Sequence, residues 1–107
     1  VSSTAGVVCV VLTADCLPVF FCDNKGTEIA VAHAGWRGLH AGIISNTIES
    51  MMAAAGDIQV SLGPAIGPQA FEVGEEVYTA FTDKNSLNAK AFAATRAGHY
   101  LCDMYHL

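Results

Sequence analysis

The chain has 107 residues, which predicts a single domain over residues 1–107. Its net charge is −5 and it has only five lysine and arginine residues, which argues against binding nucleic acid through phosphates. No apolar run approaches the roughly 18 residues of a membrane span, and no basic segment precedes the first apolar run as it would in a signal peptide.

The chain is rich in apolar residues and poor in charged ones. It is 52% hydrophobic and 14% charged, whereas a typical domain is about 25% charged. Either a partner or more chain therefore covers much of its surface, or the chain is a piece of something larger. Its apolar surface should favour a homo-oligomer or association with further polypeptide. The four cysteines follow no Cys-x-x-Cys pattern, so we expect reduced thiols and a cytoplasmic location.

Three strands are predicted in the first third of the chain. The β-branched run Val7–Leu12 is typical of a strand that is covered on both faces. Leu17–Cys22 and Glu28–His33 read as two further strands. The turn sequence at residues 23–26 lies between them, so the two should form a hairpin.

A helix should follow the hairpin. Apolar residues recur at three- and four-residue steps through Gly38–Ala55, and Gly56 lies where the glycine after a helix C-terminus belongs. Ile58–Leu62 is predicted as a fourth strand. The sequence GPAIGP, residues 63–68, reads as a loop of specified geometry.

The last third of the chain is less regular. Glu75–Phe81 predicts a short helix, residues 83–97 a loop or weak helix, and residues 100–107 the start of another element. Strands come first and helices are interspersed, so the pattern predicts an α+β or α/β fold with a mixed β-sheet, and we favour an α+β fold in which helices are layered on the sheet.

Cys16 and His33 are the first candidates for chemistry. The predicted hairpin would place both at its open end, close in space. A thiolate and an imidazole could be two ligands of a zinc or copper ion. They could also be a nucleophile and its base. The third alternative is that Cys16 is simply a core residue.

Other polar residues surround this pair in the sequence. Asp15 could orient an imidazole or bind a substrate hydroxyl, or it could cap a turn. The unit GWRG leads into the predicted helix, whose first N–H groups favour an anion. Arg37 could bind a phosphate or carboxylate, or form a structural salt bridge. We interpret the remaining candidates as packing, surface or structural residues: Trp36, His40, Glu72, His99 and His106.

Three motifs, taken together in this order, resemble the laccase-domain family. They are TADCLPVFFC, AVAHAGWRG and LGPAIGPQAFEVGEEV, and the resemblance runs over essentially the whole chain. Members of that family have been called multicopper polyphenol oxidoreductases. They have also been described as purine nucleoside phosphorylases with adenosine deaminase activity, and as peptidoglycan editing factors. The family fold is similar to that of bacterial toxin deamidases.

The resemblance implies a metal site of the His-Cys-His type, usually taken as zinc, with copper as the alternative. Cys16 of TADC and His33 of AHAGWRG match two of the three ligands. The first histidine belongs to a segment upstream of the residues present here, so this chain would supply two ligands of three. The family also has a further C-terminal segment. The resemblance therefore implies that residues 1–107 are the central part of a longer protein, with both flanks missing.

The resemblance also implies a metal-dependent purine nucleoside enzyme, which phosphorolyses or deaminates substrates of the adenosine or inosine type. Arg37 is then a candidate phosphate contact and Asp15 a candidate acid or base. The zinc deaminase signature H-x-E with P-C-x-x-C is absent from the sequence. The alternatives are a copper-dependent polyphenol oxidase, a Cys16–His33 hydrolase or deamidase, peptidoglycan-precursor editing, and an inactive fragment.

Overall fold

A computed structural model describes residues 1–107, with six strands and three helices. The predicted α+β class is confirmed. The contacts divide the chain into two units, residues 1–65 and residues 66–107. None of the three helices is long and apolar enough to cross a membrane.

The first unit is built on a three-stranded sheet. Its strands are β1 (Leu17–Asp23), β2 (Ile29–Ala34) and β3 (Ile58–Leu62), in the order β2-β1-β3. The predicted hairpin is confirmed, because β1 and β2 pair directly. A mixed sheet was expected, but both neighbours of β1 are antiparallel to it. The helical connection returns β3 in the direction of β2, and β1 separates these two strands.

One face of this sheet forms the core of the unit. Alternate residues of β1 and β2 are buried on it, as the two-residue period of a strand requires. They are Leu17, Val19, Phe21, Ala30, Ala32 and Ala34. The helix α2 (Ile43–Ser50) contacts β2. The three alanines of β2 leave room for that helix to approach the sheet closely.

The predicted strand Val7–Leu12 is not formed. These residues pair with no strand, and the side chain of Leu12 is 88% exposed. Only Ser2 bridges to β2, at Ile29. A β-branched run becomes a strand only where a neighbouring strand receives its hydrogen bonds, and residues 7–12 form no such ladder although β2 and β3 are the edges of the sheet.

The predicted helix over Gly38–Ala55 is two helices. The helix α1 covers Trp36–His40, and Gly42 precedes α2 with φ at +86°. This left-handed conformation suits glycine and interrupts the helical path. The helix α2 ends at Ser50, and Gly56 lies within a 3₁₀ turn instead of following a helix C-terminus.

The second unit contains the strands β4 (Glu72–Gly74), β5 (Phe92–Arg96) and β6 (His99–Cys102), in the order β4-β6-β5. Both pairs are antiparallel. The helix α3 (Glu75–Lys84) is three residues longer than predicted. Its acidic first turn and its basic last residue suit the helix dipole.

The predicted loop over residues 83–97 contains a 3₁₀ helix and the whole of β5. Phe92 begins that strand and its ring lies edge-on to Tyr78, at 5.4 Å between centroids. Tyr78 also stacks on Tyr100, at 4.3 Å. Aromatic packing therefore anchors a segment whose alanine-rich sequence carries little strand preference.

Candidate functional site

The open end of the β1–β2 hairpin brings Cys16 and His33 together. Leu17 pairs with Ala34, and Pro18 pairs with His33. Continuing this antiparallel register places Cys16 opposite Gly35. A Cβ on Gly35 would lie 3.1 Å from the Cys16 Sγ atom and 4.0 Å from the His33 Nε2 atom. Both potential ligand atoms therefore border the space beside Gly35.

This pair combines a half-buried thiol with an exposed imidazole. Sulfur and imidazole nitrogen are donors that suit zinc and copper. The donor types fit a metal site, but the number of donors is low. No group of three or more His, Cys, Asp or Glu residues in the chain is placed to hold a metal ion. An ion on this pair would take its other ligands from solvent, a substrate or another polypeptide segment.

The other two predicted site residues, Asp15 and Arg37, are both exposed. Asp15 lies in the bend before β1, next to Cys16. Arg37 lies in α1, and its guanidinium carbon is 4.5 Å from the centroid of the Trp36 ring. Arg37 thus contacts an aromatic face and takes no part in the ion pairs that Glu72 forms with Arg96 and His99. Its charge remains accessible to an anion from solvent.

Glu72 forms side-chain contacts with two other polar residues of the second unit. Its carboxylate accepts a hydrogen bond from Arg96 at 2.8 Å and lies 3.6 Å from the His99 Nδ1 atom. The hydrogen bond from Arg96 lowers the pKa of Glu72, although partial desolvation opposes this effect. These contacts join β4 to the β5–β6 hairpin.

The closed end of the hairpin carries two buried carboxylates that the sequence analysis did not identify. Asp23 accepts hydrogen bonds from the Thr27 N–H, the Thr27 hydroxyl and the Glu28 N–H, at 2.6, 2.7 and 2.9 Å. These bonds lower the pKa of Asp23, the one from the Glu28 N–H most strongly. The turn sequence DNKGTE could have indicated these hydrogen bonds to Asp23, because Asp commonly accepts the N–H groups of a turn that follows it.

Glu28 ties the hairpin to the segment that follows α2. Its carboxylate accepts the Met52 N–H at 2.9 and 3.0 Å and the Ala53 N–H at 3.1 Å. An open cleft of about 530 Å³ lies beside it. The carboxylates of Asp23 and Glu28 are already hydrogen-bonded to backbone groups. Their arrangement is that of structural anchors.

Known proteins are similar to the whole length of this chain. The family model described as multi-copper polyphenol oxidoreductase laccase matches residues 1–107. A purine nucleoside phosphorylase, YfiH of Escherichia coli, is 53% identical over 108 residues, which are 99% of this chain and 43% of that protein. The purine nucleoside phosphorylase PA4543 of Pseudomonas aeruginosa is 48% identical over 99% of this chain and 44% of its own length.

A solved structure is also similar. The protein NMB0706 of Neisseria meningitidis matches with a TM-score of 0.85 and 49% identity, over 89% of this chain and 39% of that one. The chain therefore spans less than half the length of the relatives that it matches.

Proposed function

Since the chain belongs to the multi-copper polyphenol oxidoreductase laccase family, we propose that it carries part of the active site of a metal-dependent purine nucleoside enzyme. The observation that carries this proposal is the placement of the Cys16 Sγ and His33 Nε2 atoms within 4.0 Å of one point beside Gly35. The names of the Escherichia coli and Pseudomonas aeruginosa relatives support the substrate class.

Cys16 and His33 would hold the metal ion, with zinc favoured over copper. Zinc in such a site supplies Lewis acidity. The exposed imidazole of His33 leaves the pair open to solvent and to a substrate. The half-buried thiol of Cys16 lies directly before β1, whose pairing with β2 brings it close to His33.

Two neighbouring charges supply the remaining roles. Arg37 would bind inorganic phosphate through its guanidinium group. In phosphorolysis, a phosphate oxygen forms a bond to C1′ of the ribose and the bond from C1′ to the base nitrogen breaks. Asp15 would exchange a proton with the substrate, either at the departing base or at C6 during deamination, where water replaces the amino group and ammonia leaves.

The cysteines and the apolar surface suggest where the protein works and with what it associates. All four cysteines are free, which supports a reducing, cytoplasmic compartment. Val8, Val10 and Leu12 are exposed, which supports association with a second copy or with a further polypeptide segment.

The test combines metal analysis with two activity assays. The purified chain would be incubated with zinc or copper, and its metal content measured after gel filtration. Base release from inosine with phosphate reports phosphorolysis, and ammonia release from adenosine reports deamination. The same measurements on a chimera, in which residues 1–107 replace the matching segment of the Escherichia coli relative, test these residues within a polypeptide of that relative's length.

Matched variants make the test specific. Cys16→Ala and His33→Ala should lose bound zinc and turnover in the chimera. Cys22→Ala and His106→Ala should keep both, because Cys22 lies at the other end of β1 and His106 is exposed near the end of the chain. Full zinc content and full turnover in Cys16→Ala would refute the metal site. If the protein turns over substrate without metal and Cys16→Ser abolishes this turnover, the hydrolase alternative is favoured. Oxidase activity with several copper ions per chain would favour the polyphenol oxidase alternative.

A further inference from the structure

Gly35 is the one residue whose missing side chain leaves open the space between the Cys16 thiol and the His33 imidazole. A Cβ on Gly35 would lie 3.1 Å from the Cys16 Sγ atom, which is closer than nine in ten of the contacts that Cβ atoms make in proteins. It would also lie 4.0 Å from the His33 Nε2 atom. A methyl group there would therefore occupy space that borders both of the atoms best suited to bind a ligand.

The backbone does not require glycine at this position. Gly35 has φ −74° and ψ 169°, an extended conformation that every residue adopts readily. The glycines of this chain with a left-handed conformation are others, such as Gly42 and Gly98. The local reason for glycine at position 35 is thus the lack of a side chain and not the freedom of the backbone.

Helix capping offers a competing explanation. Gly35 precedes α1 as its N-terminal cap, and glycine is acceptable at such positions. Serine is the stronger cap, because its hydroxyl accepts an N–H of the first turn. No side chain caps α1 in this structure. If helix capping alone determined this position, serine would be the better residue. Glycine is the better residue if the position must leave room beside the Cys16 sulfur.

We propose that Gly35 is a positioning residue, which keeps open the space between Cys16 and His33 in which a ligand of this pair binds. This inference rests on the site of the proposed function, with a zinc ion as the ligand. Any side chain at position 35 would crowd the sulfur and displace it from the geometry in which both residues reach one ion.

The first experiment measures zinc binding without measuring activity. Iodoacetamide would alkylate Cys16 in the folded chain, and mass spectrometry of the peptide that contains Cys16 would give the rate at increasing zinc concentrations. We expect zinc to protect Cys16 in the wild type and in the control Gly56→Ala, where a Cβ meets nothing within 4 Å. In Gly35→Ala and Gly35→Ser the apparent zinc affinity should fall roughly 10–100-fold, as for other residues that orient metal ligands.

The second experiment needs no metal. Gly35→Ala is made in the wild type and in a Cys16→Ala background, and the melting temperature Tm is measured for all four proteins. If the new methyl group crowds the sulfur, Gly35→Ala should lower Tm by several degrees in the wild-type background. In the Cys16→Ala background it should lower Tm by much less. Coupling of this kind identifies a contact between the two side chains.

The outcomes separate this inference from the proposed function. Zinc protection that is equal in Gly35→Ala and the wild type overturns the inference, whatever the melting temperatures show. If zinc fails to protect even the wild type, the metal-site part of the proposed function fails. An equal loss of Tm in both backgrounds overturns the crowding of Cys16 on which the inference rests, even where zinc binds the wild type.

Discussion

The Glu28 carboxylate should contribute a large share of the stability of the first unit. It is 4% exposed and accepts the backbone N–H groups of Met52 and Ala53, just after α2 ends at Ser50. The substitution Glu28→Ala would leave both N–H groups without their partner. The connection between the hairpin and the end of α2 would be lost with them.

The size of the effect follows from these bonds. A hydrogen bond to a charged group contributes about 1.5–3 kcal/mol. Two N–H groups are involved, but the adjoining cleft lets water replace part of the loss, so we expect about 2–4 kcal/mol for Glu28→Ala. In a domain of this size, 1 kcal/mol shifts Tm by about 4 °C, so Tm should fall by roughly 8–16 °C.

Thermal and urea unfolding, followed by circular dichroism, would measure this change. Glu49→Ala is the matched control, because Glu49 lies in α2 and is exposed; its Tm should stay close to that of the wild type. Glu28→Gln should lie between the two, because one amide oxygen still accepts an N–H while the charge is gone. If Glu28→Ala unfolds at the same Tm and the same urea concentration as Glu49→Ala, the anchoring role of Glu28 is refuted.

Two further predictions concern pH. The hydrogen bonds to Asp23 lower its pKa below the ordinary 3.8, so their stabilisation is full above that value and is lost as the pH falls through the lowered pKa. In acid unfolding, Asp23→Asn should flatten this part of the curve of stability against pH. An unchanged curve would contradict the stabilising role of Asp23. Burial raises the pKa of the Cys102 thiol from 9.0 to about 11, so stability should be full below pH 9 and decrease toward pH 11. The Cys102→Ala variant should not show this decrease in stability at alkaline pH. Thiol labelling of the folded wild type should modify Cys102 last of the four cysteines, and early labelling would contradict its burial.

The hairpin was predictable because local sequence determines it. Two apolar runs flank a short turn sequence, and pairing them in register brings the residues at their open ends together. The closeness of Cys16 and His33 followed from this geometry alone. The same reasoning did not single out Gly35, because only the folded chain places the Cys16 sulfur and the His33 nitrogen around it.

The errors share a different cause, which is that strand formation depends on the partner that a segment meets in the folded chain. Val7–Leu12 has the composition of a strand, but whether a strand forms depends on an edge that the sequence does not display. The strand β5 was missed for the opposite reason. Its sequence has little strand preference, and its ladder with β6 and the ring contacts of Phe92 supply the stability.

The two ends of the hairpin are physically connected through its register. Side chains alternate between the faces of a strand, so a slip of one residue would turn His33 and Val31 toward α2 and turn the small alanines Ala32 and Ala34 away from it. The bulky side chains would not fit where α2 packs on β2. At the closed end, the hydrogen bonds of Asp23 define the turn and thereby set which residues pair. The polar contacts at the turn and the alanine face under α2 therefore select the same register, and that register places Cys16 beside His33 at the opposite end.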